Sequence, residues 1–105
     1  MIEHVVLFKL QDGVDGDKVA WMLRETRIRL NKIPVVRSLR CGYQALPSAE
    51  WPFFLLVELE SLDKLDAYMH DPIHLRYVAE VIKPHIAERL AIDYQTEVGI
   101  DPLLS

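Results

Sequence analysis

The sequence predicts an α+β domain of the ferredoxin-like split βαβ type: a four-stranded antiparallel sheet with helices on one face, two such sheets packing face to face as a dimer. Three observations carry this. Period-two and helical patterns succeed one another as strand, helix, strand, strand, broken helix, strand. The first and third strands are apolar on both faces in part of their length, so one face is left for a second copy to cover. At 105 residues there is chain for one domain, 1–105, with its core at about 2–96 and a tail at 97–105.

Met1–Leu10 reads as the first strand, with Ile2, His4, Val6, Phe8 and Leu10 on one face and Glu3, Val5, Leu7 and Lys9 on the other. Gln11–Gly16 is a glycine- and aspartate-rich loop, and Asp15 or Asp17 caps the next helix. That helix runs from Asp17 to about Asn31, with Val19, Met22, Leu23, Ile28 and Leu30 as its apolar residues and Trp21 at the edge. Ile33-Pro34 ends it, because a residue before proline is pushed out of helical geometry. Val35–Tyr43 is the second strand and Gln44–Pro52 a polar loop on which Trp51 packs down or rims a pocket. Phe53–Glu60 is the third strand, with Phe53, Leu55, Val57 and Leu59 on one face. Ser61 caps a helix with Leu62, Leu65 and Met69 at helical spacing and Tyr68 on or beside that face. Pro72 interrupts it, and Asp71 caps the helix that Pro72 starts. Leu75, Val78, Val81, Ile82 and Ile86 are the expected stripe of this second piece, which Pro84 kinks or shortens. Arg89–Thr96 is the fourth strand, and the apolar tail Gly99–Ser105 is expected to dock on the domain.

Half of the residues are hydrophobic and 27% charged, the balance of a globular domain. No run of 18 apolar residues occurs, so no membrane span is expected, and the N-terminus lacks the pattern of a signal peptide. A net charge of −4 and the lack of a basic patch interleaved with aromatics argue against nucleic acid as a partner. The single Cys41 precludes an internal disulfide and reads as a small hydrophobe in or near a strand; a cytoplasmic location is expected. His70 and His74 are four residues apart, but Pro72 breaks the helix that would bring them together for a metal, and no metal or cofactor is expected.

Several segments resemble one family. They are Ile2-Glu3-His4-Val5-Val6-Leu7-Phe8-Lys9-Leu10, Glu58-Leu59-Glu60-Ser61, Tyr68-Met69-His70-Asp71-Pro72-Ile73-His74 and Asp93-Tyr94. Together they are similar to the stress-responsive dimeric α/β-barrel (Dabb) family over residues 2 to about 96. The resemblance implies the ferredoxin-like dimer inferred above and a homodimer formed through the sheet face. One distantly similar relative, olivetolic acid cyclase, closes a polyketide chain without a cofactor. By that likeness His74 matches its base, Tyr68 its assisting tyrosine and His4 a further pocket histidine. Phe53 stands where the cyclase has a histidine, and His70 is displaced by one residue from the usual His-Pro-x-His.

The chemistry needs a base near neutral pH and a donor for a developing enolate oxygen, roles open to histidine and tyrosine. If His4 lies under the helices, it meets Tyr68 and His74 at the helix break, with Phe8, Leu23, Phe53 and Leu55 as apolar pocket walls. The alternatives are structural. His74 then bonds a backbone group at the disrupted helix end, His4 bonds a neighbouring hydroxyl in the core, Tyr68 packs and reaches His74, and His85 lies on the surface. Three functions follow from these readings. One is a stress-response domain that binds a small apolar or carbonyl molecule near His4, Tyr68 and His74. Another is a cofactor-independent cyclase or lyase with His74 as general base, and the third a monooxygenase-like or haem-handling barrel.

Overall fold

The computed structural model describes residues 1–97. The expected docking of the apolar tail falls outside the described residues. The elements are β1 (Ile2–Leu10), α1 (Gly16–Leu30), β2 (Ser38–Tyr43), β3 (Phe53–Leu59), α2 (Leu62–His70), α3 (Pro72–Tyr77), a π-helical turn (Val78–Ile82) and β4 (Ile86–Gln95). The sheet is antiparallel throughout, in the order β2-β3-β1-β4. This is the ferredoxin-like arrangement, with β1 and β3 at the centre and every helix on one face.

Strand parity sets the core. Ile2, His4, Val6 and Phe8 of β1 and Phe53, Leu55, Val57 and Leu59 of β3 are buried beneath the helices. Between Gln11 and Gly16 the chain turns through Gly13, whose φ of +89° is costly for a residue with a Cβ. Asp15 caps α1, accepting from the Lys18 amide at 2.8 Å. The buried stripe of α1 is Val19, Met22, Thr26 and Leu30. Ile28 is 47% exposed. It lies nine residues from Val19, about half a turn out of phase with the stripe. Thr26 takes the inner position without leaving its hydroxyl bare. It donates to the Met22 carbonyl at 2.7 Å and meets the Tyr77 hydroxyl at 2.8 Å.

Several boundaries differ from the sequence reading. β2 begins at Ser38 because Val36 still bonds back to Ile33 in a turn. β4 begins at Ile86, three residues early, because the turn after the π-helical segment is short and Ile86 already pairs with Leu10. In α2 the fully buried residue is Tyr68, whereas Leu62 is 66% exposed at the first turn. In the following piece the inner positions are His74, Tyr77, Val81 and Ile82; Leu75 is 54% exposed. The helix that Pro72 starts does stop short of Pro84, as a short α-helix that widens into a π turn closed by Lys83 N–H to the Val78 carbonyl at 2.8 Å. Trp51 is half-buried, with the Lys9 ammonium 4.7 Å from its ring centre.

The helices pack on β1, β2 and β3, leaving the inner side of β4 largely open. On the opposite sheet face, Val5, Leu7, Phe54 and Leu56 are half-buried, while Leu90, Ile92 and Tyr94 of β4 are exposed.

Candidate functional site

The helix break and the first strand converge as parity suggests. Asp71 ends α2 in extended geometry (φ −63°, ψ 134°) and caps α3 by accepting from the Ile73 amide at 2.8 Å. Pro72 at the first helical position needs no hydrogen-bond partner. This turn aims Tyr68, near the end of α2, and His74, in α3, at one point under the sheet. Their rings lie 4.6 Å apart, and the Tyr68 ring meets that of His4 edge-on at 5.8 Å.

Each imidazole is held by one nitrogen. His74 Nδ1 lies 3.1 Å from the Met69 carbonyl, which can only accept, so Nδ1 carries the hydrogen and Nε2 keeps its lone pair. The backbone tie expected of a structural histidine is therefore present, and it leaves a basic nitrogen free. Burial pushes the His74 pKa below its ordinary 6.5, and the positive charge of Arg89 acts in the same direction. His4 is bound not by a hydroxyl but by the Asp93 carboxylate, Nδ1 to Oδ1 at 2.6 Å. Its Nδ1 likewise donates and its Nε2 is the unprotonated nitrogen while the ring is neutral.

Between these rings sits Tyr68. Its side chain is fully buried, and its hydroxyl has no hydrogen-bond partner among the described residues. Burial drives its pKa far above the usual phenol range, so it stays protonated and acts only as a neutral donor or acceptor. Tyr77, equally buried, bonds Thr26. The contrast marks the Tyr68 hydroxyl as a polar group without a structural purpose of its own.

The residues expected as pocket walls sit inside the packed core, with the Phe8–Phe53 pair four strand positions from the His4–Val57 pair and Leu23 over Cys41 of β2. Phe8 and Phe53 meet edge-on at 5.8 Å, Leu55 is buried, and Leu23 is half-buried on α1. Surface depressions of about 580 Å³ (Arg29, Lys32, Pro72, Ile73, Arg76, Glu80) and about 380 Å³ (Pro34, Val35, Arg37, Glu60, Lys64) open elsewhere. Neither is lined by His4, Tyr68 or His74. The open side of the cluster is the inner face of β4, where Asp93 is exposed and Ala91 half-buried.

The other candidates are structural. His70 is exposed and bonds the Asp66 carbonyl at 2.9 Å. His85 is half-buried rather than on the surface, bonding the Val81 carbonyl at 2.7 Å and meeting Trp21 edge-on. Cys41 lies in β2, its thiol pKa raised by burial, as suits a small hydrophobe. Asp93 was legible in the sequence only as part of a family pattern. Its role depends on β1 pairing with β4 in the register that sets it opposite His4.

Comparison with known proteins comes to the same architecture. The sequence model of the stress responsive A/B barrel domain matches residues 2–96. The chain is 28% identical over 95 residues to a stress-response A/B barrel domain-containing protein of Arabidopsis thaliana. That match covers 90% of this chain and 36% of the relative, so the chain spans about a third of that protein's length. A dimeric ferredoxin-like protein of unknown function from Thermobifida fusca superposes with a TM-score of 0.81 at 26% identity, covering 90% of each chain. The hydroxynitrile lyase of Passiflora edulis superposes with a TM-score of 0.78 at 12% identity, covering 95% of this chain and 96% of the other, a likeness of fold alone.

Proposed function

Since the chain belongs to the stress responsive A/B barrel domain family, we propose that it is a homodimeric ligand-handling domain whose Tyr68–His74–His4 cluster binds a small, largely apolar molecule through a carbonyl oxygen. The observation that carries this is the Tyr68 hydroxyl, fully buried and without a partner among the described residues. A buried unsatisfied hydroxyl costs about 1–3 kcal/mol, and a ligand carbonyl is the group that relieves it. Phe8, Phe53, Leu55 and Leu23 belong to the same apolar core as Tyr68, and the ligand enters over the inner face of β4. Dimerisation through the outer sheet face is supported by Leu90, Ile92 and Tyr94, which are apolar and exposed beside Val5 and Leu7. A cytoplasmic location belongs to the same reading and rests on the single, half-buried Cys41.

Titration with acetophenone, followed by the ring NMR signals of Tyr68, His4 and His74, tests the binding reading. All three signals are expected to move, and Tyr68→Phe to weaken the response. Unmoved rings at saturating ketone would overturn it.

A second reading is favoured by the free Nε2 of His74. A neutral imidazole held by its Nδ1–H is a general base, and Tyr68 as a donor stabilises the enolate oxygen that forms when an α-proton leaves. The cluster is then a cofactor-independent proton-transfer site of the cyclase or lyase kind. It predicts that the protein catalyses exchange of the acetophenone methyl protons with D2O, and that His74→Ala abolishes this while the fold persists. Exchange no faster than in buffer would remove the reading.

A further inference from the structure

Building on that ligand site, we propose that Arg89 determines its specificity and selects a small oxo acid, a ligand bearing one carboxylate beside its carbonyl. β4 pairs with β1 so that Asp93 stands opposite His4 and Arg89 opposite Phe8. The strand period of two puts Arg89, Ala91 and Asp93 on one side. That side is the inner one, because Asp93 bonds the buried His4 and Ala91 packs on the core. Arg89 therefore stands on the open shelf beside the cluster, and its charge reaches His74.

Like Arg24, Arg27, Arg37 and Arg40, and unlike Arg29 and Arg76, it pairs with no carboxylate among the described residues; its place beside the cluster sets it apart. Arg29 is tied to Glu25 and Glu80 at 3.1 and 2.7 Å. Among the described residues no carboxylate lies within ion-pair distance of Arg89, and its side chain is exposed. A lone guanidinium matches a carboxylate in a two-pronged hydrogen-bonded pair. A phosphate dianion fits poorly, because Asp71 at the helix break and Asp93 along the strand put two carboxylates on the same side. The carbonyl of the same ligand faces Tyr68 and His74. An exposed charge on an edge strand also discourages strand addition. That role alone predicts no preference between an acid and its ester.

The test compares 4-oxo-4-phenylbutanoate with its methyl ester on the intact protein. Calorimetry reads affinity, and the ring signals of Tyr68 and His74 read location. The acid is expected to bind about tenfold more tightly than the ester, the scale of one charge-assisted contact. Arg89→Gln brings the two within about twofold, and Arg89→Lys keeps part of the difference. Tyr68→Phe weakens acid and ester alike. Equal binding of acid and ester to the unaltered protein, or a preference that survives Arg89→Gln, overturns the assignment of Arg89 while ring shifts leave the ligand site standing. If neither probe moves the rings, the site itself fails and the role of Arg89 falls with it.

Discussion

Tyr68 and Tyr77 are a matched pair of buried phenols with opposite hydrogen-bonding fates, and they respond differently to losing their hydroxyls. Tyr68→Phe removes a group that bonds nothing, so stability is expected to hold or rise by up to about 1 kcal/mol. Tyr77→Phe breaks the bond to Thr26 and is expected to cost about 1 kcal/mol. Urea midpoints at constant slope measure both; a costly Tyr68→Phe would mean that its hydroxyl is bonded in solution. His74 makes a pH prediction. Its folded pKa lies below the ordinary 6.5, so the unfolded chain binds the proton first. The stabilisation is complete above pH 6.5 and is lost as pH falls through that value towards the depressed folded pKa. A His74→Leu variant should lose less stability than the unaltered protein between about pH 7.5 and about pH 5, as measured by urea unfolding. The sequence placed these side chains well, since parity put His4 inward and the helix break put Tyr68 and His74 together. It did not supply their bonding partners. Asp93 reaches His4 across 89 residues of chain, and only the sheet register brings them side by side.

At the scale of elements, the caps were plainly written. Ser61, Asp15 and Asp71 each stand before a helix, and each side chain accepts from the amide expected of a cap. Asp71→Ala is expected to destabilise by about 1 kcal/mol and Asp71→Asn far less, because asparagine also caps. The same Asp71→Ala change should broaden the amide signals of Ile73 and His74, since the cap fixes where α3 starts. The stripes were less legible. The aliphatic residues at helical spacing include Ile28, Leu62 and Leu75, which face outward. The inner positions went to Thr26, Tyr68, His74 and Tyr77, polar-tipped residues that hydropathy ranks low but that packing admits when their bodies are large or their polar atoms are bonded. The π turn at Val78–Ile82 has no mark in the sequence, because it differs from an α-helix by one residue in a hydrogen-bonded loop.

For the whole molecule, the sheet is apolar on the side away from its helices. β4 turns Leu90, Ile92 and Tyr94 outward and Arg89 and Asp93 towards the helices, so these three large apolar residues face away from the core. A second copy resolves this, and the protein is expected to sediment as a dimer at about micromolar concentration. Leu90→Lys should give a folded monomer, because that side chain makes no contribution to the core beneath the helices. Sedimentation velocity with far-UV circular dichroism checks both. An unaltered protein that runs as a monomer would contradict the dimer. The two-faced strands were visible in the sequence, and so was the need for a cover. Which edge strand carries the exposed residues was not, because that follows from the order β2-β3-β1-β4.

That order has a consequence for synthesis. β1 leaves the ribosome before the other strands, yet it is a central strand whose neighbours are β3 and β4, and Ile2 pairs with Gln95. At about 5–20 residues per second, β1 waits several seconds with both edges open. During that interval Val5, Val6, Leu7 and Phe8 are consecutive apolar residues with no strand to pair with. The nascent domain is therefore most dependent on chaperones early in its translation, well before the cluster around Tyr68 exists.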